Sequence, residues 1–265
     1  MCAKTFKNVR EDVNNISQIL AKTQQSPRLR SLATVAQQMP LKPKVFHGRD
    51  DIIDEITQLL MKEETSRICI LGLGGMGKTS VSLGVVEHPL VKAQFLPENL
   101  IWVPCIEATS ATLLLEILYI QLQVPGDKQV TIEEIIFLLN KSTRPRLILL
   151  DNFETPYNVL SETQTKQVED ILRRLAMLSH VAILVTMRGR HPPCNKAIKW
   201  QSKEVRPTDE AASLRIYHSI CPNSENDRNV SKLLCVLGHM PFAVTHGKIG
   251  QERAVNSGGV ATRMV

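Results

Sequence analysis

Gly72-Leu73-Gly74-Gly75-Met76-Gly77-Lys78-Thr79 matches G-x-x-x-x-G-K-[ST] at every position, and that spacing suits the holding of a polyphosphate. Glycines let successive backbone N–H groups turn inward around an anion. A helix that starts at the end of such a loop aims the positive end of its dipole at the same place. Gly72, Gly74, Gly75, Met76 and Gly77 form the candidate cradle, followed by Lys78, Thr79 and Ser80. Lys78 would supply a point charge to the β- and γ-phosphates, and Thr79 a hydroxyl to Mg²⁺. The metal needs an acid nearby. Asp151 closes the apolar run 147–150, and a carboxylate at the C-terminal end of a strand can hold Mg²⁺, often through water. The next residue is Asn152, which cannot serve as a base, so Glu154 is the candidate to orient a water. Arg188 ends a further apolar run, where a guanidinium can pair with phosphate oxygens in a fixed fork.

These residues need elements to hold them. Arg67–Leu71, Leu100–Val103, Arg146–Asp151 and Val181–Thr186 are short apolar runs and read as buried strands. Between them lie helical patterns at 78–87, 111–122 and 132–140, and a clear apolar face at Val168, Ile171, Leu172 and Leu175. Before them, Asp50 and Asp51 can cap a helix over 51–61 with Ile52, Ile53, Ile56, Leu59 and Leu60 on one side. Strands that are apolar on both faces and alternate with helices indicate a parallel sheet covered on both sides. Helices return at about 208–219 and 227–237. Residues 1–39 carry two narrow apolar stripes (Val9, Val13, Ile16, Leu20, then Leu29, Leu32, Ala36, Met39), and read as a helical arm that ends at Pro40 and Pro43.

Composition narrows the classes. The 265 residues are 43% hydrophobic and 22% charged, which excludes wholesale disorder and collagen-like repeats. A 4% aromatic content favours an α/β or α-rich core over an aromatic-heavy β-sandwich. The net charge of +6 comes from scattered basic residues with few aromatics, which disfavours a nucleic-acid role. Six cysteines form no C-x-x-C pair, and Cys69, Cys105 and Cys235 sit in apolar runs as small hydrophobes, a pattern suited to a reducing compartment and a cytoplasmic location. No run is long enough for a membrane-spanning helix, and residues 1–13 show no secretory signal.

Taken in order, the motifs resemble the NB-ARC branch of the STAND NTPases, the nucleotide switches of NOD-like receptors, plant resistance proteins and apoptotic scaffolds. Phe46-His47-Gly48-Arg49-Asp50 is similar to the hhGRE motif, Gly72–Thr79 to the Walker A box, and 147–151 to Walker B. Residues 184–188 resemble the "TTR" sensor segment, 205–212 the opening of the helical lid, and Gly238-His239-Met240-Pro241-Phe242-Ala243 the GLPLA motif. The Asp-Asn-Phe-Glu-Thr-Pro and Met-Arg-Gly variants look most like fungal members. The resemblance implies a three-layer α/β/α P-loop NTPase with a mainly parallel five-stranded sheet, followed by the start of a small helical lid. With the arm read from its stripes and the tail from its lack of periodicity, the chain divides into a helical arm (1–39), a nucleotide-binding domain (40–206), a partial lid (207–246) and a disordered or aberrant tail (247–265). It implies that Phe46 and Arg49 line an adenine pocket, that Pro241 packs on adenine, that Asp151 holds Mg²⁺ through water, and that Arg188 touches the γ-phosphate. The family rests with ADP and oligomerises with ATP, which implies a signalling partner that the residues do not identify. Residues 247–265 resemble none of the winged-helix region that follows in the family, so a truncated or alternatively spliced product, or an incomplete gene model, is expected. No NKxD motif is present, which disfavours GTP. Three functions stay open: a switch with slow or no hydrolysis, a working P-loop ATPase, and a scaffold that no longer binds nucleotide.

Overall fold

The computed structural model describes residues 39–62, 66–122, 130–158, 161–224, 227 and 229–246. The apolar stripes of residues 1–38 and the tail at 247–265 lie outside the described residues. Helix α1 (Asp50–Lys62) precedes β1 (Arg67–Leu71), the loop 72–77, α2 (Lys78–Glu87) and α3 (Pro89–Gln94). Then come β2 (Leu100–Pro104), α4 (Ala111–Gln121), α5 (Ile132–Leu139), β3 (Arg146–Asp151), α6 (Glu154–Asn158), α7 (Glu162–Ala176) and β4 (Val181–Met187). Strand β5 (Gln201–Glu204), α8 (Glu210–Ile220), α9 (Val230–Val236) and a last helical turn at 241–246, α10, complete the described chain.

The five strands form one parallel sheet in the order β2-β3-β4-β1-β5. The fold is thus the expected α/β sandwich. The period-2 alternation of the strands divides their side chains between two cores. Ile68, Ile70, Leu147, Leu149, Ala182 and Leu184 pack with α1, α2 and α3. Cys69, Leu71, Ile148, Leu150, Ile183 and Val185 pack with α4, α5 and α7. A third, smaller cluster joins Ile216, Tyr217, Val230, Leu234 and Val244, with Val45 against it.

Some elements depart from the sequence expectations. Asp50 and Asp51 lie inside the first turn of α1, where the carboxylates complement the helix dipole, and the turn's first bond runs from the Ile53 N–H to the Arg49 carbonyl at 3.1 Å. Strand β5 carries no apolar run. It is a half-exposed edge strand of polar residues recruited by pairing with β1. Helix α3 was not anticipated; His88 caps it and Pro89 starts it. Cys235 is exposed, whereas Cys69 and Cys105 are buried, and burial pushes the Cys69 thiol up to about 12. Among the described residues the cysteines are free, and no helix is long and apolar enough to cross a membrane.

At the sheet end remote from the phosphate loop, Arg67 ties the strands together. Its guanidinium donates to the carbonyls of Ser66, Val181, Ala176 and Leu178, with distances of 2.6–3.1 Å. The side chain is 8% exposed, and burial lowers its pKa to about 10. Arg67→Met would remove the four hydrogen bonds of the guanidinium, although the Ser66 carbonyl keeps the Ile183 N–H, so urea unfolding should show a loss of about 2–4 kcal/mol.

Candidate functional site

In a parallel sheet with helices on both faces, ligands meet the C-terminal ends of the strands. Here the ends of β1, β3 and β4 lie side by side. The chain leaves β1 through the glycine loop and enters α2 at Lys78, with Gly77 at φ 85°. The Lys78 ammonium donates to the Gly72 carbonyl at 3.0 Å and the Leu73 carbonyl at 2.9 Å. Burial holds its pKa below the usual lysine range; Glu154 and Asp151 oppose that shift and Arg188 adds to it.

Asp151, 4% exposed, ends β3. One of its oxygens accepts the Thr79 hydroxyl at 2.9 Å and the Thr186 hydroxyl at 2.6 Å. Burial raises its pKa, against the two hydroxyl donors and Lys78. The Thr186 hydroxyl in turn accepts the Asn152 N–H at 3.0 Å, and the Thr186 carbonyl accepts the Phe153 N–H at 2.9 Å. Asn152 sits at φ 58°, a left-handed turn that asparagine tolerates. Two residues further on, the Glu154 carboxylate meets Arg188 twice: Nε lies 3.1 Å from one oxygen, and the Arg188 N–H donates to the other at 3.1 Å.

The opposite wall comes from both ends of the described chain. Arg49, 8% exposed, donates to the Met76 carbonyl of the phosphate loop at 3.0 Å and to the Arg206 carbonyl at 2.8 Å. Burial lowers its pKa, and Asp209 raises it. Phe46 carries Lys42 over its ring at 4.5 Å. From the far side, the Phe242 N–H donates to the Gly75 carbonyl at 3.1 Å. Gly75 has φ 79°, and a Cβ there would stand 2.9 Å from the Phe242 Cβ, so glycine is required for both conformation and space. Thr208 holds the neighbouring turn through its N–H and hydroxyl, both donated to the His239 carbonyl.

Together these walls enclose a cavity of about 380 Å³, within the ordinary size of a small-molecule site. Phe46, Arg49, Gly74, Gly75, Met76, Gly77, Lys78, Thr79, Ser80, Arg188 and Pro241 line it. Gly72, Asp151 and Glu154 are outside its lining. Asp151 and Glu154 act on the lining through Thr79 and Arg188. Sequence reasoning missed Pro43, Val45, His47, Ile216, Phe242 and Thr245. Ile216 is also part of the third apolar cluster, so its helical spacing signals only core. The cavity has an apolar side (Val45, Phe46, Ile216, Pro241) and a cationic side (Lys78, Arg188). Those chemistries fit a base and a phosphate chain, and the oxygen donors Thr79 and Asp151 fit Mg²⁺.

The NB-ARC domain family model matches residues 49–186. No curated protein matches the chain significantly. Among solved structures, a Walker-type ATPase of Pyrococcus abyssi is similar with a TM-score of 0.56 at 12% identity, over 78% of this chain and 69% of that one. That likeness is one of fold. A STAND protein (a signal transduction ATPase with numerous domains) with a tetratricopeptide repeat sensor, from Pyrococcus horikoshii, gives 0.46 at 14% identity, over 77% of this chain and 30% of that one. C. elegans PCH-2 gives 0.44 at 13% identity, over 66% of this chain and 47% of that one.

Thr186 is the junction between β3 and β4. Thr186→Val removes a donor to Asp151 and an acceptor for Asn152, at a cost of about 1–3 kcal/mol in chemical denaturation; Thr186→Ser keeps the hydroxyl and should retain most of the stability.

Proposed function

Because this chain belongs to the NB-ARC family of STAND P-loop NTPases, we propose that it binds ADP and ATP and acts as a molecular switch with slow or no hydrolysis. The observation that carries the reading is one cavity in which the phosphate loop, with Lys78 and Arg188, faces an apolar wall. In this reading Phe46 and Pro241 flank the adenine ring, while Arg49 closes the pocket floor by fixing the loop to residue 206. The loop from Gly72 to Gly77, with Lys78 and Ser80, holds the phosphates. Thr79 and Asp151 hold Mg²⁺, whose chemistry is to screen the phosphate charge and polarise the terminal phosphoryl group. Arg188 meets the γ-phosphate.

Slow turnover follows from the residues that would activate water. Asn152 is no base, and both oxygens of Glu154 face Arg188. Glu154 is the carboxylate left for that role, and it must leave Arg188 to fill it. Switching follows from the contacts across the cavity. Residues 40–206 form the nucleotide-binding unit, and residues 207–246 form a helical lid tied to the loop by the Phe242-to-Gly75 bond. A change at the phosphate end then biases a two-state lid. Self-association with ATP, a signalling partner and a cytoplasmic setting complete the reading. A working ATPase would instead turn over at about 1 per second or faster. A scaffold that ignores nucleotide would be indifferent to Lys78.

The test is the nucleotide carried by freshly purified protein, released by denaturation and identified by chromatography. The expected result is ADP or ATP near one per chain, with affinity lowered roughly 100-fold in Lys78→Ala by loss of a charge-assisted contact. Protein that is empty and also ignores added Mg-ATP would overturn the reading.

A further inference from the structure

Two of the cations that line the cavity, Lys78 and Arg188, have different partners. Lys78 rests on two neutral carbonyls of its own loop. A phosphate that draws the ammonium away replaces two neutral carbonyl acceptors with charged oxygens. Arg188 rests on a carboxylate. Glu154 is 14% exposed at its side chain and meets both the Nε and the backbone N–H of Arg188, so it fixes the guanidinium at its root. The plane of that guanidinium lies against the phosphate loop, where a Cβ on Gly74 would stand 3.3 Å from Cζ. Glycine at 74 lets the cation come this close. The turn at Asn152 brings Glu154 back toward β4, and the Phe153 N–H on the Thr186 carbonyl holds that turn.

We propose that Glu154 is the resident counter-ion of Arg188, competes with a terminal phosphate for the guanidinium, and thereby sets the preference of the site for nucleoside diphosphate over triphosphate. The inference rests on the nucleotide reading of the cavity. Its sign follows from charge. A diphosphate uses Lys78 and the loop and leaves the Glu154–Arg188 pair in place. A triphosphate must share Arg188 with Glu154, which holds its Nε, and bring its own negative charge near that carboxylate. Glu154 is therefore a positioning residue that acts through Arg188. The size of the effect follows from exposure. Arg188 is 65% exposed at its side chain, so water screens the pair and the competition amounts to a few-fold.

The experiment measures dissociation constants of Mg-ADP and a slowly hydrolysed Mg-ATP analogue by calorimetric titration at low salt. The full chain is used as wild type, Glu154→Gln, Arg188→Ala and the double variant. Glutamine keeps an oxygen for the Arg188 N–H while removing the charge. The expected result is a roughly threefold to tenfold gain in affinity for the triphosphate relative to the diphosphate in Glu154→Gln, and no such gain when Arg188 is alanine. Glu154→Asp, which withdraws the carboxylate by one methylene, should shift the ratio the same way by less, and serves if the glutamine variant fails to fold. An unchanged ratio, or a loss of triphosphate affinity, overturns the proposal. So does an unchanged ratio with loss of residual hydrolysis, which would make Glu154 a base. Wild-type protein that binds neither nucleotide overturns the reading of the cavity itself, and is thereby distinguished from a failure of the counter-ion role alone.

Discussion

The Asp151 carboxylate is the constraint on which the site depends. A charge at the end of a buried strand, 4% exposed, needs donors in place to offset its lost hydration. Thr79 and Thr186 supply them from the phosphate-loop helix and from β4. One oxygen thus ties the loop to two neighbouring strands. Thr186 passes the connection to the backbone of Asn152 and Phe153, which sets the course of the chain after β3 and so the place of Glu154. This buried carboxylate adds a polar tie between β3, β4 and the phosphate-loop helix to the ladder that already pairs the strands.

The polar groups around the cavity satisfy one another. Lys78 takes loop carbonyls, Arg188 takes Glu154, Arg49 takes Met76 and Arg206, and the threonines take Asp151. Lys78, Arg188, Asp151 and Glu154 balance in formal charge. A ligand gains only the difference between its own contacts and those it displaces. Strong charges lining the cavity therefore do not translate into strong binding one for one.

What could be read in the sequence was what chemistry or burial writes into contiguous residues. The phosphate loop is one such word, because the cradle needs adjacent glycines followed by Lys78 and Thr79. Strands β1, β3 and β4 are another, because burial on both faces leaves their interiors apolar and confines Arg67, Asp151 and Thr186 to the strand ends. Strand β5 escaped because an edge strand of the sequence Gln-Ser-Lys-Glu owes its state to pairing with β1 and not to its own composition. The partners of Arg49 escaped because they are main-chain carbonyls, which every residue carries. The Glu154–Arg188 pair spans two strands and depends on the left-handed turn at Asn152, which no periodicity announces. Glu154 could be singled out as an acid near the site, but not its partner. Cys235 sits in an apolar run yet is exposed, since α9 is short and only one side of it meets α8.

The bond from the Phe242 N–H to the Gly75 carbonyl joins parts of the chain far apart in sequence. During synthesis at roughly 5–20 residues per second, the phosphate loop is made several seconds or more before Phe242 exists. Through that interval Gly75 lacks this partner, and the wall formed by Pro241, Phe242 and Thr245 is absent. The sheet can form from the elements already made, while the closed cavity must wait. The ability to enclose a ligand is therefore acquired only once the segment carrying Pro241, Phe242 and Thr245 has been made, and not with the loop that carries the recognisable motif.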